Sequence, residues 1–325
     1  MPRYRVLLTE PIDQIGLDLL APEADAVLAP QPTLAALLPL AAEADAFIVR
    51  AGPCPRELIA AAPRLKVIGK HGVGVDNIDI PAATERGIPV FSTPGTNAEA
   101  VVEMALAMML ALARRLPQAH RVVVEGNYLA GRAAYLATEM EGKTLGLVGL
   151  GRIGSLLAQK CALAFSMRVL AYDPYVTAPP SLPGARIEMV KDLDEVLRAA
   201  DFLSIHVPLT PETRNLISRQ QLAKMKKSAY LVNTSRGAVV DEDALAEALR
   251  EKVIAGAGID VFAQEPTPAE HPLFGLDNAI LSPHVGGQTA ESMQKMARAV
   301  VTGVLQTLHG ERPASVLNPS VYERG

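Results

Sequence analysis

The stretch that most constrains the fold is residues 142–173, which begins GKTLGLVGLGRIG and ends VLAYD. Its first apolar run has the length of a buried strand, and the glycines after it form the pattern G-x-G-x-x-G. A helical segment and a second apolar run follow. This order predicts a strand–turn–helix–strand unit of the kind that binds a dinucleotide.

Each glycine of the pattern is explained by a steric requirement. Gly149 permits a tight turn, Gly151 lets the backbone approach a pyrophosphate, and Gly154 lets the helix lie close to the strand. The N–H groups of Arg152 and Ile153 then stand at the helix N-terminus, where the helix dipole favours an anion. We therefore expect the turn to bind the phosphates of a dinucleotide, with a purely structural glycine turn as the alternative.

Asp173 indicates which dinucleotide binds. It ends the second strand, 19 residues beyond Gly154, where a carboxylate accepts hydrogen bonds from ribose hydroxyls. A 2′-phosphate would meet a like charge there, so we expect NAD rather than NADP.

Composition limits the possible partners. The 325 residues suffice for two domains, and 49% hydrophobic and 20% charged residues are ordinary for a soluble globular protein. A net charge of −4 gives no basic field for nucleic acid or anionic lipid. The longest apolar run, Met104 to Ala113, is too short to span a bilayer, and the N-terminus lacks a signal-peptide core. We expect a cytoplasmic protein with small-molecule partners.

Cysteines and histidines give no metal-site pattern. Cys54 and Cys161 are far apart and form no C-x-x-C motif, so buried free thiols are expected. The six histidines are scattered, and none pairs with another at i,i+4 spacing. We therefore expect no metal.

The first hundred residues predict a parallel α/β domain of their own. The predicted strands are Arg5–Thr9, Ala46–Val49, Lys66–Gly69 and Ile88–Phe91, with helical patterns between them. No phosphate loop follows the first strand, so we assign this domain to the substrate. In its turn GKHGVGVD, the glycines at 72 and 74 expose N–H groups that suit a carboxylate. Tight packing of the loop is the alternative reading.

Beyond residue 97 the pattern changes and then returns to alternation. Residues 97–116 form a long helix that is apolar on most sides and must be buried, either between domains or against another subunit, and residues 117–141 are expected as an exposed connector. Further strands are predicted at Leu203–Val207, Ala229–Asn233, Ile254–Val261 and Ala279–Ser282. The last helix, near 289–308, is free to return to the first domain.

Three polar residues follow strands of the second domain: Arg236, Glu265 and His284. Ligands of open parallel sheets lie beyond the carboxyl ends of the strands. A hydride-transfer enzyme acting on a 2-keto acid needs a cation for the carboxylate and a proton donor for the carbonyl oxygen. An arginine fork and a histidine meet these needs, and a neighbouring carboxylate favours the charged histidine.

Each of these residues has a structural alternative when it is taken alone. Arg236 suits a surface ion pair, Glu265 an exposed loop acid, and His284 a capped loop histidine. His206 also follows a strand, but the adjacent Pro208 and a place nearer the adenine favour a role in lining the cofactor.

The chain resembles the D-2-hydroxyacid dehydrogenase family, the group that includes phosphoglycerate dehydrogenase, over nearly its whole length. The motifs that carry the resemblance are GVGVDNID (72–79), GLGRIG (149–154) with YDP (172–174), HVPLTPET (206–213), NTSRGAVVDEDAL (233–245), GIDVFAQEP (258–266) and SPHVGG (282–287). It implies two parallel-sheet α/β domains, with a Rossmann dinucleotide-binding domain (99–287) inserted into a flavodoxin-like substrate domain (1–98 and 288–325). It also implies a homodimer built on the cofactor domain.

The resemblance also implies roles for individual residues. Arg236 binds substrate, His284 is the acid/base, and Glu265 tunes the histidine. Asp260 and the backbone around Thr234 hold the nicotinamide carboxamide, and the amides of Val73 and Gly74 hold the substrate carboxylate. Val207, Thr213 and Gly286, which lie within the quoted motifs, join His206 as expected cofactor-binding residues.

Substrate identity stays open at this level. Arg50 and Lys70 lie at the ends of first-domain strands, where cations suit a second anionic group, although both also suit solvent-facing charges. Phosphorylated, sulfonated and unsubstituted 2-hydroxy acids therefore remain candidates. With about 15 residues after the last helix, we expect no regulatory domain. A nucleotide-sensing protein without turnover and a formate-using relative are the alternative functions.

Overall fold

A computed structural model describes residues 3–323. Within this range the chain divides into two compact units, one formed by residues up to Asn97 together with those from Gln288 onward, and the other by Ala98–Gly287. No helix among these residues is long and apolar enough to cross a membrane. The same residues contain no group of three or more His, Cys, Asp or Glu side chains placed to hold a metal ion.

The elements alternate along most of the chain. The strands are β1 (Tyr4–Leu8), β2 (Ala24–Leu28), β3 (Ala46–Val49), β4 (Val67–Lys70), β5 (Val90–Phe91), β6 (Thr144–Val148), β7 (Arg168–Tyr172), β8 (Ile187–Val190), β9 (Phe202–Ile205), β10 (Tyr230–Asn233), β11 (Gly256–Ile259) and β12 (Ala279–Leu281). The helices are α1 (Gln14–Leu20), α2 (Leu34–Ala41), α3 (Arg56–Ala60), α4 (Ile80–Glu85), α5 (Ala98–Ala113), α6 (Leu116–Val124), α7 (Tyr128–Ala134), α8 (Arg152–Phe165), α9 (Leu193–Ala199), α10 (Arg219–Leu222), α11 (Glu242–Arg250) and α12 (Ala290–Leu308).

The first unit is a five-stranded parallel sheet in the order β2-β1-β3-β4-β5. This is the flavodoxin-like order. Helices α2, α3 and α4 cover one face of the sheet. Helices α1 and α12 cover the other, where Val300, Val301 and Val304 of α12 join the core. The C-terminal helix therefore completes the unit that the N-terminal residues begin.

The second unit is a seven-stranded parallel sheet in the order β12-β11-β10-β9-β6-β7-β8. Read from β8, the first six strands have the Rossmann order, with the switch point between β6 and β9. Helices α9, α10 and α11 pack on one face, and α5 and α8 on the other. The predicted fold class, a Rossmann domain inserted in sequence into a flavodoxin-like one, is confirmed.

The structure adds five elements to those that the sequence predicts: β2, β8, α6, α7 and α9. Residues 117–141, expected as a connector, contain most of α6 and all of α7. The two helices are exposed as expected, since neither has a buried residue, whereas Met140 near the end of the segment is buried. The predicted long helix ends earlier, at Ala113, and packs against α8, β10 and β11 within its own unit. It therefore needs no second subunit for its burial.

His71, directly after β4, is a buried titratable residue of the first unit. Burial, and then the positive charges of Arg50 and Lys70, lower the pKa of its imidazole to about 4. In the unfolded chain the imidazole takes up a proton near pH 6.5, whereas the folded chain resists this until about pH 4. The stability that the neutral ring gives at pH 7 is therefore lost as the pH falls through this window.

We predict that His71→Gln flattens the acid side of the stability profile. Between pH 7 and pH 5 the free energy of unfolding of the wild type should fall by about 2 kcal/mol more than that of the variant. Urea unfolding followed by circular dichroism at several pH values measures this difference. The interval from pH 7 to 8 is the control, in which the two profiles should run parallel. Parallel profiles down to pH 5 would contradict the assignment.

Candidate active site

Three loops of the second unit leave parallel strands at the same edge of the sheet. Asn233, Ile259 and Leu281 are neighbours in the ladder of β10, β11 and β12. The residues that follow them therefore emerge side by side. Arg236 lies in the first of these loops, Glu265 in the second and His284 in the third. The sheet thus gathers the loops that carry the three predicted catalytic residues.

The side chain of Asn233 shapes the loop that carries Arg236. The buried amide donates from Nδ2 to the carbonyl of Arg236 at 2.9 Å, and its Oδ1 accepts from the N–H and the hydroxyl of Ser235 at 3.0 and 2.8 Å. A buried amide satisfied in this way holds one backbone conformation. Arg236 is half-buried, and its guanidinium donates to the carbonyl of Ser235 at 2.7 Å.

Gly237 lets the first two loops touch. A Cβ at this position would collide with the backbone of Phe262 and Ala263. Any larger residue would therefore push the loop of Arg236 away from the loop of Glu265. The absence of a side chain at Gly237 thus lets the loop of Arg236 pack against the loop of Glu265.

His284 and Glu265 form a direct pair. The Nδ1 atom of His284 lies 2.7 Å from Oε2 of Glu265, and the other carboxylate oxygen accepts from the N–H of Phe262 at 2.9 Å. An ionised carboxylate only accepts, so the network assigns a proton to Nδ1. In a neutral ring the Nε2 atom of His284 is then the unprotonated nitrogen.

Glu265 stays ionised in this pair. Partial burial raises the pKa of the carboxyl, but the hydrogen bonds from His284 and Phe262 and the positive charges of His284 and Arg236 outweigh it. The pKa of Glu265 is therefore below its ordinary value. The ionised Glu265 is therefore an acceptor for the Nδ1–H of His284.

Asp260 stabilises the third loop, which carries His284, by hydrogen bonds. The Oδ1 atom of this buried carboxylate accepts from the hydroxyl of Ser282 at 2.5 Å and from the N–H of Val285 at 2.9 Å, and Oδ2 accepts from the N–H of Gly286 at 2.8 Å. Its carbonyl accepts from the N–H of His284 at 2.7 Å. His284 has a left-handed backbone with φ of 54°, which is uncommon for a non-glycine residue. Asp260 therefore supports the conformation that presents the imidazole.

The glycine turn after β6 has the close contacts that its pattern predicts. Gly149 has φ of 96°, and a Cβ there would lie 2.7 Å from the carbonyl oxygen of His206. A Cβ on Gly154 would strike the carbonyl of Gly149, so the first turn of α8 lies against the turn. A Cβ on Gly151, by contrast, would meet no atom within 4 Å. Its missing side chain leaves space in front of the helix N-terminus, as a bound pyrophosphate requires.

Asp173 is oriented by the same turn. One carboxylate oxygen accepts from the N–H of Leu150 at 2.8 Å and the other from the N–H of Tyr175 at 3.0 Å. A carboxylate has about four acceptor positions, so two remain for hydroxyl groups. The carboxylate is thus oriented beside the phosphate turn and can accept further hydrogen bonds.

Other features of this edge fit a dinucleotide. The N-terminus of α8, where Arg152 and Ile153 lie, has no side-chain cap. The hydroxyl of Thr234 is buried and has no hydrogen-bond partner among the described residues. Buried polar atoms are seldom left unpaired, so this hydroxyl suits a ligand group. The residues present therefore fit the predicted cofactor.

His206, Val207 and Thr213 belong to the loop after β9. Burial lowers the pKa of His206 to about 4, and its Nε2 lies 2.9 Å from the hydroxyl of Ser204. A ring that is neutral near pH 7 makes a poor proton donor for a carbonyl, which agrees with a lining role. Val207 is half-buried against Gly149. Thr213 uses its hydroxyl within the loop, donating to the carbonyl of Pro208 at 2.7 Å.

The predicted anion nest lies in the first unit. Gly72 has φ of 139°, and its N–H donates to the hydroxyl of Thr93 at 3.0 Å. In the described part of the chain, the N–H groups of Val73 and Gly74 donate to no acceptor. Val73 is exposed and Gly74 half-buried. The two amides keep the capacity to bind a carboxylate.

Arg50 and Lys70 lie next to each other in this unit. The buried ammonium of Lys70 donates to the carbonyl of Arg50 and to Oδ1 of Asn77, the latter at 2.7 Å. Arg50 is half-buried and donates to the carbonyl of Pro11 at 2.7 Å. Lys70 therefore supports the backbone of Arg50, a link that sequence spacing does not reveal.

Asn233 is a site residue that the sequence argument does not single out. Its signal is an amide placed as the last residue of an apolar strand, directly before Thr-Ser-Arg. A polar residue at that point must find partners in the loop that follows.

Three of the proteins that resemble this chain illustrate the range of its relatives. A D-3-phosphoglycerate dehydrogenase of Methanocaldococcus jannaschii is 41% identical over 97% of this chain and 59% of its own length. A glyoxylate reductase of Thermofilum pendens is 41% identical over 99% of this chain and 97% of its own. The crystal structure of a D-lactate dehydrogenase of Aquifex aeolicus, complexed with NAD and lactic acid, superposes with a TM-score of 0.86 at 29% identity, covering 97% of this chain and 99% of that one. The chain thus spans about three fifths of the first relative.

A family model identifies the second unit. Residues 106–286 match the model described as D-isomer specific 2-hydroxyacid dehydrogenase, NAD binding domain. The predicted cofactor, NAD, is confirmed by this match. The chain therefore belongs to the D-isomer specific 2-hydroxyacid dehydrogenase family.

Proposed function

We propose that this chain is an oxidoreductase that transfers a hydride between NAD(H) and a D-configured 2-hydroxy or 2-keto acid. The observation that carries the proposal is the pair formed by His284 and Glu265 at 2.7 Å, in loops neighbouring that of Arg236. A protein that only binds a dinucleotide needs no such proton-transfer pair. The identities of the relatives support the same reaction class.

His284 is assigned as the acid/base. Its Nδ1 proton is held by Glu265, so Nε2 gives a proton to the carbonyl oxygen in reduction and takes one from the hydroxyl in oxidation. Reduction requires the charged ring and oxidation the neutral ring.

Arg236 is assigned to substrate binding. Its planar guanidinium suits a carboxylate, and its positive charge polarises a neighbouring carbonyl. Asn233 and Gly237 shape the loop that carries this cation, and the positive charge of Arg236 helps to lower the pKa of Glu265.

NAD(H) supplies or accepts the hydride when it is bound. We assign the pyrophosphate to the turn and helix end formed by Gly149, Gly151, Arg152, Ile153 and Gly154. Asp173 is assigned to the ribose, and His206, Val207, Thr213, Thr234, Asp260 and Gly286 to the rest of the cofactor. Asp260 has its carboxylate engaged by three donors of the third loop, so its contribution includes holding that loop.

The first unit is assigned to substrate selection. The amides of Val73 and Gly74 form the candidate carboxylate nest, and Arg50 with Lys70 form a candidate site for a second anionic group. Of the two cations, Arg50 is the more exposed and the better placed for a ligand. Relatives named for phosphoglycerate, glyoxylate and lactate leave both substituted and unsubstituted acids as candidates.

We predict that the purified protein oxidises NADH with at least one 2-keto acid. The test compares pyruvate, glyoxylate, hydroxypyruvate, phosphohydroxypyruvate and sulfopyruvate by absorbance at 340 nm. His284→Gln should lower kcat by about 10² to 10⁴-fold and leave NADH affinity nearly unchanged, because the ring acts on the substrate oxygen. His309→Gln, in an exposed pair with Glu23 of the first unit, is the matched control.

Two outcomes would count against the proposal. Tight NADH binding without turnover on any acid of the panel would favour the sensor function. An unchanged kcat in His284→Gln would remove that residue as the acid.

Asp173 should set the cofactor preference. We predict that Asp173→Asn lowers the ratio of kcat/KM with NAD to kcat/KM with NADP roughly tenfold, because a negative charge near the 2′-position is lost while the bond from Leu150 is kept. Glu188→Gln removes the same charge from the neighbouring strand β8 and should leave the ratio unchanged. An Asp173→Asn ratio equal to that of the wild type would refute the ribose assignment.

We also propose that the chain forms a homodimer through helices α6 and α7. Neither helix buries a residue in its own chain, yet they and the residues after them carry large apolar side chains. Leu129 and Leu136 are 79% and 82% exposed. A second copy of this chain is the occupant we propose, because apolar patches that are exposed on a single chain are often buried in two-fold dimers.

Leu129→Asp with Leu136→Asp should convert the dimer into a monomer, since each places a charge in the apolar face. Light scattering coupled to size-exclusion chromatography measures the mass. Leu28→Asp, on the exposed edge strand β2, is the matched control and should stay dimeric. A monomeric wild type would overturn this interface.

A further inference from the structure

Glu242 contacts the loop that carries Glu265. It is the first residue of α11, directly after the N-cap Asp241, and its side chain is mostly buried. One carboxylate oxygen, Oε1, accepts from the N–H of Ala263 at 2.8 Å. The other, Oε2, lies 3.2 Å from Nε2 of His271. The helix dipole also favours a negative charge at this end of α11.

His271 is the second member of this pair. Its side chain is buried, and Phe262 packs edge-on against its ring at a centroid distance of 5.2 Å. Its Nδ1 faces the N–H of Leu273 at 3.4 Å, so that nitrogen is the acceptor and Nε2 carries the proton. The Nε2–H of His271 therefore donates to Glu242, and the ring packs against Phe262, the residue that precedes Ala263.

These contacts continue to the catalytic pair. Glu242 holds the N–H of Ala263, and the adjacent N–H of Phe262 donates to Oε1 of Glu265 at 2.9 Å. Glu265 in turn holds Nδ1 of His284 at 2.7 Å. The backbone of Phe262 and Ala263 also fills the space beside Gly237. The Phe262–Ala263 segment therefore links Glu242 to the loop of Arg236 and, through Glu265, to His284.

We propose that Glu242 and His271 are positioning residues, which form a buried pair that holds the Phe262–Glu265 turn so that Glu265 keeps its hydrogen bond to His284. The inference rests on the proposed function for its kinetic consequence, but its structural part does not. The contacts that carry this inference run from Glu242 to Ala263 and from His271 to Glu242 and Phe262. Each acts through the backbone of a turn that would otherwise be a surface loop without regular structure.

Amide hydrogen exchange tests the structural part without any need for turnover. In the full-length protein, Glu242→Ala should speed exchange in the peptide covering residues 260–266 roughly tenfold or more, because Ala263 loses its acceptor. The peptide covering β10 reports on the fold and should not change. Glu242→Gln, which keeps the shape but loses one acceptor, serves if the alanine variant does not fold. Glu247→Gln, on the same helix but in an exposed ion pair with Arg219, is the matched control.

A double-mutant cycle tests the kinetic part. With NADH and either glyoxylate or hydroxypyruvate, Glu242→Gln should lower kcat roughly tenfold with little change in KM for NADH. In a Glu265→Gln background the same substitution should have no further effect, because the pair acts through Glu265. His271→Phe, which keeps the ring packing but removes the donor, should resemble Glu242→Gln in both backgrounds.

The outcomes separate this inference from the proposed function. Unchanged exchange in residues 260–266 of Glu242→Ala, or losses of kcat that multiply in the Glu265→Gln background, would overturn the positioning role. A wild type without turnover on any 2-keto acid would overturn the proposed function, and the exchange result would still decide whether Glu242 holds the turn.

Discussion

The parallel register of β9, β10, β11 and β12 is the constraint on which the candidate site depends. Ile205, Asn233, Ile259 and Leu281 form one row across these strands. Because parallel strands all run in one direction, the next residues form a second row at the carboxyl edge. That row contains His206, Thr234, Asp260 and Ser282, and the loops beyond it carry Arg236, Glu265 and His284. Residues far apart in the sequence thus become neighbours without any long-range motif.

Loops at such an edge must be held in place, and buried polar side chains do this here. Asn233 fixes the first loop, Glu242 with His271 the second, and Asp260 the third. A buried carboxylate is costly unless it is hydrogen-bonded, and Asp260 accepts from three donors of the third loop. Networks satisfied in this way favour one loop conformation over others. They account for a left-handed backbone at His284 that an isolated loop would seldom adopt.

The sequence predicts the parts of this arrangement that follow local rules. Gly149, Gly151, Gly154 and Asp173 are readable because a phosphate turn needs specific residues at fixed spacing. An edge strand such as β2 is harder to predict from the sequence. It buries only one of its five residues and so lacks a strong apolar pattern. Helices α6 and α7 are difficult to predict for a related reason, because neither of them has a residue buried in the core of its own chain. The contact between Glu242 and His271 joins positions 29 residues apart, and no periodicity encodes it.

The proposed function depends on Glu265 holding a proton on Nδ1 of His284, so that Nε2 exchanges a proton with the substrate. The ¹⁵N resonances of His284 measure this directly in protein labelled at its histidine nitrogens, with His284→Gln used for assignment. We predict that the neutral ring of the wild type carries its proton on Nδ1, with Nε2 unprotonated. A neutral ring that is protonated on Nε2 and unprotonated on Nδ1 would contradict the proposed role of Glu265.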